Sequence, residues 1–158
     1  MLAEHIFITT LDAPDAFATA DKAGAQLGFN PGQNDNTRRA EWARGPKKPG
    51  YRSMKKLPMR LRMDFDRGKV TLALAIDEVR TKPDPRIAAY GLAVLSSFEA
   101  ALARTPAPDA LAPAQAAEHA LRRHYFWQNF WIWTVLAVFL GLPVLAIVAA
   151  AVIGAMTR

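Results

Sequence analysis

The C-terminal part of the chain contains a long segment without charge. The 27 residues from Phe130 to Met156 read FWIWTVLAVFLGLPVLAIVAAAVIGAM, and the next charged side chain is Arg158. A helix rises about 1.5 Å per residue, so about 20 such residues cross the hydrocarbon core of a bilayer. A buried helix of a water-soluble protein is rarely apolar on every face over such a length. The sequence therefore predicts a single-pass transmembrane helix over residues 129–156.

Two features of this segment favour contact with a second helix. Pro143 lacks the amide hydrogen that a helix uses at that position, and with Gly141 nearby it predicts a kink. After the kink, small residues recur at every fourth position, at Ala146, Ala150 and Gly154. Such a stripe lets another helix approach closely, either from a second copy of this chain or from a different membrane protein. The alternative is that an alanine-rich segment produces the spacing by chance.

Residues that precede the segment predict its orientation. Arg122 and Arg123 come just before it, and basic residues are retained on the cytoplasmic side of a membrane. Trp127, Trp131 and Trp133 cluster at the entrance, where indole rings prefer the depth of the headgroups. The N-terminus carries acidic residues where a secretion signal has a basic start. We therefore expect a tail-anchored protein in contact with membrane lipids, with a cytoplasmic N-terminal domain and a C-terminus on the opposite side.

The rest of the chain divides into a domain and a connection to the membrane. Residues 1–104 are enough for one small domain with a modest core. Residues 105–113 contain three prolines and predict a stiff, extended linker. A juxtamembrane helix is expected over 114–128. The chain has no cysteine, which excludes disulfide bonds and thiolate chemistry and fits a reducing cytoplasm.

The clearest pattern in the domain is a pair of runs that alternate between apolar and polar residues. The runs cover 59–66 and 69–76, and the Arg67-Gly68 dipeptide between them predicts a β-hairpin with a tight turn. One face of this hairpin is then fully apolar, because its facing pairs are Phe65 with Val70, Met63 with Leu72, Leu61 with Leu74 and Met59 with Ile76. On the other face, the pairs are Arg60 with Ala75 and Arg62 with Ala73.

Further elements come before and after the hairpin. Residues 5–11 predict a strand, Asp12 caps a following helix, and residues 37–43 are a weaker strand candidate. Asp84 and Pro85 start a second helix. The apolar residues of the first helix are Phe17, Ala20, Gly24 and Leu27, and those of the second are Ile87, Tyr90, Val94, Leu95, Phe98 and Leu102. This order predicts an α+β fold, a small antiparallel sheet with helices on one face.

Basic residues concentrate in one part of the domain. Residues 1–36 have a net charge of −4, whereas residues 37–69 contain twelve lysines and arginines and have a net charge of +9. The candidates for binding an anionic surface or an acidic partner are Arg38, Arg39, Lys47, Lys48, Arg52, Lys55 and Lys56. Anionic lipid headgroups, nucleic acid and an acidic protein are the possible ligands. The aromatic residues among these charges are Trp42 and Tyr51, too few to favour nucleic acid. The alternative is a solvated loop.

The sequence contains no recognisable catalytic or metal-binding pattern. His119 and His124 are five residues apart, which places them on different faces of a helix, and no cysteine completes a metal site. The best candidates for acid–base chemistry are four carboxylates: Asp64, Asp66, Asp77 and Glu78. Pairing of these groups with nearby Arg62 and Lys69 on a solvated sheet surface is the favoured alternative. We expect no enzymatic activity, no cofactor and no bound metal.

These observations favour one function and leave a second open. The first is a binding module on a membrane anchor, acting as a small accessory, assembly or scaffolding subunit of a larger membrane protein complex. The second is a membrane-tethered binder of an anionic ligand, either lipid headgroups or nucleic acid, through the basic patch formed by the seven candidate residues named above.

Overall fold

Helices and strands cover most of the residues that can be described. The structure is a computed structural model that describes residues 2–35, 37–46, 57–77 and 84–156; after residue 141 it describes side chains at Pro143 and Ile153. Within these ranges the elements are β1 (Leu2–Ile8), α1 (Ala13–Gln26), β2 (Asn30–Asn34), β3 (Arg39–Arg44), β4 (Met59–Asp66), β5 (Lys69–Ile76), α2 (Pro85–Ala101) and α3 (Ala112–Met156).

The strands form one antiparallel sheet in the order β1-β5-β4-β3-β2. The hairpin of β4 and β5 has the predicted register, from Phe65 opposite Val70 to Met59 opposite Ile76. The turn residues Arg67 and Gly68 have φ angles of 49° and 83°. A two-residue turn with both φ angles positive matches the right-handed twist of the strands, which is why a glycine stands there.

The apolar residues of the hairpin form the inner face of the sheet, and α1 and α2 cover it. The Phe17 ring of α1 lies 6.2 Å from the Phe65 ring of β4, between ring centroids. The predicted apolar residues of α2 are all buried. Both predicted caps are confirmed, since Asp12 accepts a hydrogen bond from the Asp15 amide and Asp84 from the Arg86 amide. The structure is thus an α+β fold with these helices on one face of the sheet.

Trp42 of β3 is a central part of this core. Its side chain is 1% exposed, and its Nε1 donates a hydrogen bond of 2.7 Å to Oδ1 of Asp21 on α1. Helix α1 contacts the indole at Gly24, where a Cβ would lie 3.4 Å from the Trp42 ring, an ordinary contact distance. Trp42 is therefore not available to stack on a nucleic acid base, although the sequence places it among basic residues.

The first two strands differ from expectation. The first strand covers Leu2–Ile8 and not residues 5–11, because the chain bends after Thr9, whose hydroxyl donates to the Leu102 carbonyl and accepts from the Leu11 amide. Strand β2 was not predicted, since proline, glycine and asparagine are depleted in strands. It is an edge strand, where Pro31 removes no hydrogen bond from a central ladder.

Contacts along the chain divide it into two units, one ending at Arg122 and one beginning at Arg123. In the first unit, the start of α3 packs on the domain, with Ala114 and Leu121 buried and the Ala114 amide donating to Ser97 Oγ at 3.2 Å. In the second unit, α3 continues through Pro143 to Met156. Among the residues described with their side chains, no helix is long and apolar enough to be a candidate membrane span.

Candidate functional site

The second face of the sheet, here called the outer face, has none of the described helices packed on it. Its side chains come from alternate positions of the strands, and the register places Arg60 opposite Ala75 and Arg62 opposite Ala73, as predicted. The outer face consists of Leu2, Glu4, Ile6 and Ile8 on β1, Lys69, Thr71, Ala73 and Ala75 on β5, Arg60, Arg62, Asp64 and Asp66 on β4, and Arg39, Glu41 and Ala43 on β3. This face has a charged side and an apolar side.

The charged side, on β3 and β4, is internally paired. Asp64 accepts from Arg39 at 2.7 Å and lies 2.8 Å from Arg62, which confirms the predicted pairing of that carboxylate on a solvated surface. The hydrogen bond from Arg39 to Asp64 raises the pKa of the guanidinium above its usual value. Arg60 lies 3.8 Å from Asp77. Exposed pairs of this kind add little stability, but they reduce the attraction of these arginines for an external anion.

The apolar side is formed by β1. Leu2, Ile6 and Ile8 are 76%, 53% and 85% exposed, and they lie next to small residues of β5 such as Ala73 and Ala75. Single apolar residues at a protein surface are ordinary, but three on one strand face, here with Glu4 between Leu2 and Ile6, are more typical of a binding surface. Sequence patterning placed this strand too late in the chain and did not identify these residues as exposed.

The backbone of β1 is unpaired on its outer side in the part of the chain that the structure describes. The Thr9 amide donates to the Gly68 carbonyl at 2.9 Å. Since hydrogen-bonded positions alternate along an antiparallel pair, Ala3, His5 and Phe7 are the residues that bond to β5. The amide and carbonyl groups of the alternate residues of β1 therefore point away from the sheet. These residues are the ones that carry the exposed apolar side chains.

Helix α2 flanks the inner side of the same edge. His5 Nε2 lies 2.7 Å from Oε2 of Glu99, and both side chains are partly exposed, at 38% and 45%. Leu92 and Ser96 are also exposed on α2, and their spacing from Glu99 places them on the same side of the helix. The edge of β1 thus has an apolar outer face and a helix beside its inner face.

The predicted basic patch is described only in part. Arg38 and Arg39 lie at the turn into β3, where their amides and that of Thr37 donate to Oδ1 of Asp35 at 2.7, 2.7 and 3.1 Å. The structure thus places carboxylates beside both arginines. The other predicted members of the patch, Lys47, Lys48, Arg52, Lys55 and Lys56, and also Tyr51, lie outside the described residues, and their role stays a prediction.

The hydrogen bonds to Asp35 predict an acid-sensitive turn. The backbone amides of Arg39, Arg38 and Thr37 lower the pKa of the Asp35 carboxyl from 3.8 to about 2. Because the folded-state pKa is depressed, the contribution of Asp35 to stability is present above pH 3.8 and is lost as the pH falls through about 2. An NMR titration of the Asp35 carboxyl carbon is expected to give this low pKa. Asp35→Asn should abolish the matching transition in the Arg39 amide shift, whereas a carboxyl pKa near 3.8 would contradict the turn geometry.

The predicted membrane-interface residues lie on α3. Arg122 Nη2 is 2.5 Å from Oε1 of Glu118, one turn earlier. Arg123 belongs to the second unit, and in that unit the exposed side chains include those of Trp127, Trp131 and Trp133. The position of these residues at a membrane interface stays a prediction.

The residues predicted to pack against another helix lie further along α3. A Cβ added to Gly141 would have no atom within 4 Å, which leaves that side of the helix open among the described residues. Pro143 stands inside the helix. Ala146, Ala150 and Gly154 have helical backbone, but their surroundings lie outside the described residues. Their contact with a second helix stays a prediction.

The structure also contains a buried ionic cluster that sequence reasoning did not predict. Arg44, one of the twelve basic residues of 37–69, lies at the end of β3 and makes two hydrogen bonds to Glu118 of α3, of 2.7 and 2.5 Å. Its Nη1 also donates to the Leu27 carbonyl and to the Tyr90 hydroxyl. The side chains of Arg44 and Glu118 are only 15% and 11% exposed. This cluster joins the end of α1, β3, α2 and the start of α3.

The charges of the cluster stabilise one another. Burial opposes ionisation of Glu118, but hydrogen bonds from Arg44 and Arg122 outweigh it and lower the pKa of the carboxyl. The bond to Glu118 raises the pKa of Arg44. Burial raises the pKa of the Tyr90 hydroxyl to about 12, so that it remains a neutral hydrogen-bonding group. We assign this cluster a structural role, since its polar atoms are directed at one another.

A pocket of about 490 Å³ lies between α1, the end of α2 and the start of α3. Its polar lining includes Lys22, Gln26, Asp109 and Gln115. Asp64 and Asp77, two of the four carboxylates considered above for acid–base chemistry, do not line it. Among the described residues, no group of three or more histidine, aspartate or glutamate side chains could hold a metal ion. Comparison of the sequence with protein-family models and with curated proteins found no match.

Proposed function

We propose that the protein is a membrane-anchored binding module that serves as a small accessory, assembly or scaffolding subunit of a larger membrane protein complex. The observation that carries this proposal is the outer face of the sheet at β1, where three large apolar side chains are exposed along one strand. Several exposed apolar groups on one strand face are typical of protein-binding surfaces. We therefore assign this face the role of a surface that binds a partner protein.

The apolar segment of α3 supports the membrane anchor. Its 27 uncharged residues exceed the length that a bilayer requires. The large side chains described on its first half are exposed, among them Phe130, Trp131, Trp133 and Phe139. Such side chains are costly in water and favourable in lipid. In this proposal the domain faces the cytoplasm, because Arg122 and Arg123 precede the segment.

The alternative function, binding of an anionic ligand through the basic region, has less support from the described residues. Arg39 and Arg62 share the Asp64 carboxylate, and Arg44 is held by Glu118. An external phosphate or headgroup would have to displace these carboxylates. We therefore favour a protein partner.

Two arginines placed in the apolar segment should release the protein from membranes. A charged residue near the centre of a membrane helix costs about 2.5–3.5 kcal/mol on insertion scales, so Leu140→Arg combined with Val144→Arg is expected to prevent stable insertion. The measurement is extraction of isolated membranes at alkaline pH, after which the unmodified chain should stay in the pellet. The control is the same pair of positions changed to isoleucine. An unmodified chain that is soluble and monodisperse without detergent would contradict the anchor.

Association with a complex is tested in mild detergent. The full-length chain, expressed at its natural level in its own cells, is expected to run in native mass analysis at a mass well above that of one chain, with partners in fixed ratio. Recovery as a single chain alone would count against an accessory role. This test is independent of the membrane extraction. An anchored protein without partners would stay in the membrane pellet but would run as a single chain in native mass analysis.

A further inference from the structure

We propose that the free edge of β1 binds an extended segment of a partner protein as an added strand. The bound segment alternates apolar side chains along one face and carries a lysine or arginine near its centre. This inference rests on the proposed function, since the segment belongs to the partner protein, and it names the site and the mode of binding.

The backbone of β1 supplies the hydrogen bonds. Leu2, Glu4, Ile6 and Ile8 alternate with the residues that bond to β5, so their amide and carbonyl groups point to the free edge. In the described part of the chain no strand pairs with this edge. An extended peptide that pairs with an exposed edge gains main-chain hydrogen bonds, and pockets for alternate side chains give specificity.

Glu4 is the one charged residue of strand β1, which otherwise has none of the devices that proteins use to protect an edge. Its seven residues contain no proline and no lysine, and its pairing with β5 runs without a bulge from Leu2 to Ile8. The opposite edge, β2, contains Pro31 and an irregular register between Pro31 and Asn34. Protected edges are short, bulged or charged. The contrast selects β1 as the edge that is open to another strand.

The side chains of β1 specify an alternating apolar segment. On the outer face, an added strand would place its side chains beside Leu2, Ile6 and Ile8, which are now largely exposed. On the inner face, its side chains would lie beside His5 and Phe7 of β1, which are half-buried. Burial of such groups contributes about 25 cal/mol per Å² of apolar surface removed from water.

The charges at the middle of β1 specify a basic residue. Glu4 lies on the outer face, and Glu99 contacts the neighbouring His5 from the inner face. A lysine or arginine at the centre of the added strand therefore meets a carboxylate on whichever face it lies. Opposite charges across a strand pair are favourable and like charges are unfavourable. Lys69 is the only lysine or arginine of β1 and β5, all of whose residues are described, and it lies at the far end of the strand, opposite Ile8.

A second copy of β1 is a poorer occupant. If two copies paired antiparallel about His5, the Glu4 side chains of both copies would be diagonal neighbours, and each Glu99 would face the other copy's His5–Glu99 pair. Like charges would then meet on both faces of the strand. A partner segment with a basic centre removes this conflict.

The test uses the full-length chain in lipid nanodiscs and a synthetic peptide, VTIKVTI, that matches the seven residues of β1 in length. We expect saturable binding, with amide chemical-shift changes in β1. A second peptide, VTIEVTI, should bind about tenfold more weakly, because one opposite-charge contact is replaced by a repulsive one. Two N-methylated forms of VTIKVTI are compared, one methylated at its odd-numbered residues and one at its even-numbered residues. The form whose methyl groups replace the amide hydrogens that face β1 should lose binding, because it cannot donate main-chain hydrogen bonds to the edge.

Variants of the protein locate the site. Ile6→Pro removes an amide that faces the free edge and makes no bond to β5, so it should abolish binding in a chain that remains folded by circular dichroism. The peptide lysine shares a face with the two threonines: Glu4→Lys should reduce the preference for VTIKVTI over VTIEVTI when that face is the outer one, and Glu99→Lys should reduce it when that face is the inner one. Glu41→Lys makes the same charge change on the outer face at β3 and is the matched control, with no change expected.

Three results would overturn the inference: no binding of either peptide, equal binding of both, or binding that survives in both N-methylated forms. Failure of the inference is distinguishable from failure of the proposed function. A natural partner that co-purifies equally with the unmodified chain and with Ile6→Pro would show that the partner binds elsewhere. A chain without any partner would overturn the proposed function, while the peptide result would still report on β1.

Discussion

Replacing Trp42 with alanine is expected to lower the free energy of unfolding by about 4 kcal/mol, because a large buried aromatic side chain is replaced by a cavity. The indole is 1% exposed and lies 6.3 Å from the Phe98 ring, between centroids. It also contacts α1 at Gly24 and donates to Asp21. One substitution therefore removes contacts from β3, α1 and α2 together. The measurement is urea denaturation of the full chain in detergent, followed by far-ultraviolet circular dichroism.

Trp42→Phe is the matched control for this prediction. It keeps most of the apolar volume and loses the hydrogen bond to Asp21, so its cost should be about 1–2 kcal/mol. A loss below about 1 kcal/mol for Trp42→Ala would contradict the buried position, since exposed surface substitutions lie within about ±0.5 kcal/mol. It would also restore the possibility that this indole stacks on a ligand.

Replacing Arg44 with alanine is expected to cost about 3 kcal/mol at neutral pH, the lower part of the range for breaking a buried ion pair, since both side chains keep some exposure. The change leaves the Glu118 carboxylate without its bidentate partner and the Leu27 carbonyl without its donor from Arg44. Arg122 remains beside Glu118 and limits the loss. The start of α3 should then be held less firmly against the domain, which amide hydrogen exchange at Ala114 and Leu121 would detect.

The pH dependence separates loss of the ion pair from loss of packing. In the unmodified chain the folded-state pKa of Glu118 lies below its ordinary value of 4.5. The pair therefore stabilises the fold above that pH, and its contribution is lost as the pH falls through the lowered value. The difference in unfolding free energy between the unmodified chain and Arg44→Ala should shrink on acidification. Arg60→Ala breaks an exposed pair of 3.8 Å and should cost less than about 0.5 kcal/mol. If the difference in unfolding free energy between the unmodified chain and Arg44→Ala did not change with pH, the ionic account would be contradicted.

Local pattern in the sequence was sufficient for the elements with strong periodicity. The hairpin register followed from two alternating runs and a two-residue turn that contains glycine. The two helices followed from apolar residues at helical spacing and from aspartate caps at Asp12 and Asp84. In each case the signal and the structure lie within the same short segment, so neighbouring residues alone determine the conformation.

Features that depend on distant residues could not be predicted in this way. Strand β2 has a composition typical of a turn, and it is a strand because β3 pairs with it. Arg44 and Glu118 are 74 positions apart, and in the sequence Arg44 is one basic residue among many. The exposure of the β1 side chains followed from the sheet order, which places that strand at an edge.

The sequence by itself determined the α+β class, the hairpin and its register, the helix starts and the apolar C-terminal segment, because these depend on short-range periodicity and on length. The tertiary structure alone decided which arginine is buried, that Trp42 belongs to the core, and that within the described ranges β1 has a free edge beside an uncovered face. Burial and pairing depend on which elements meet in space, and a carboxylate or a strand from far along the chain changes the role of a residue that no local pattern distinguishes.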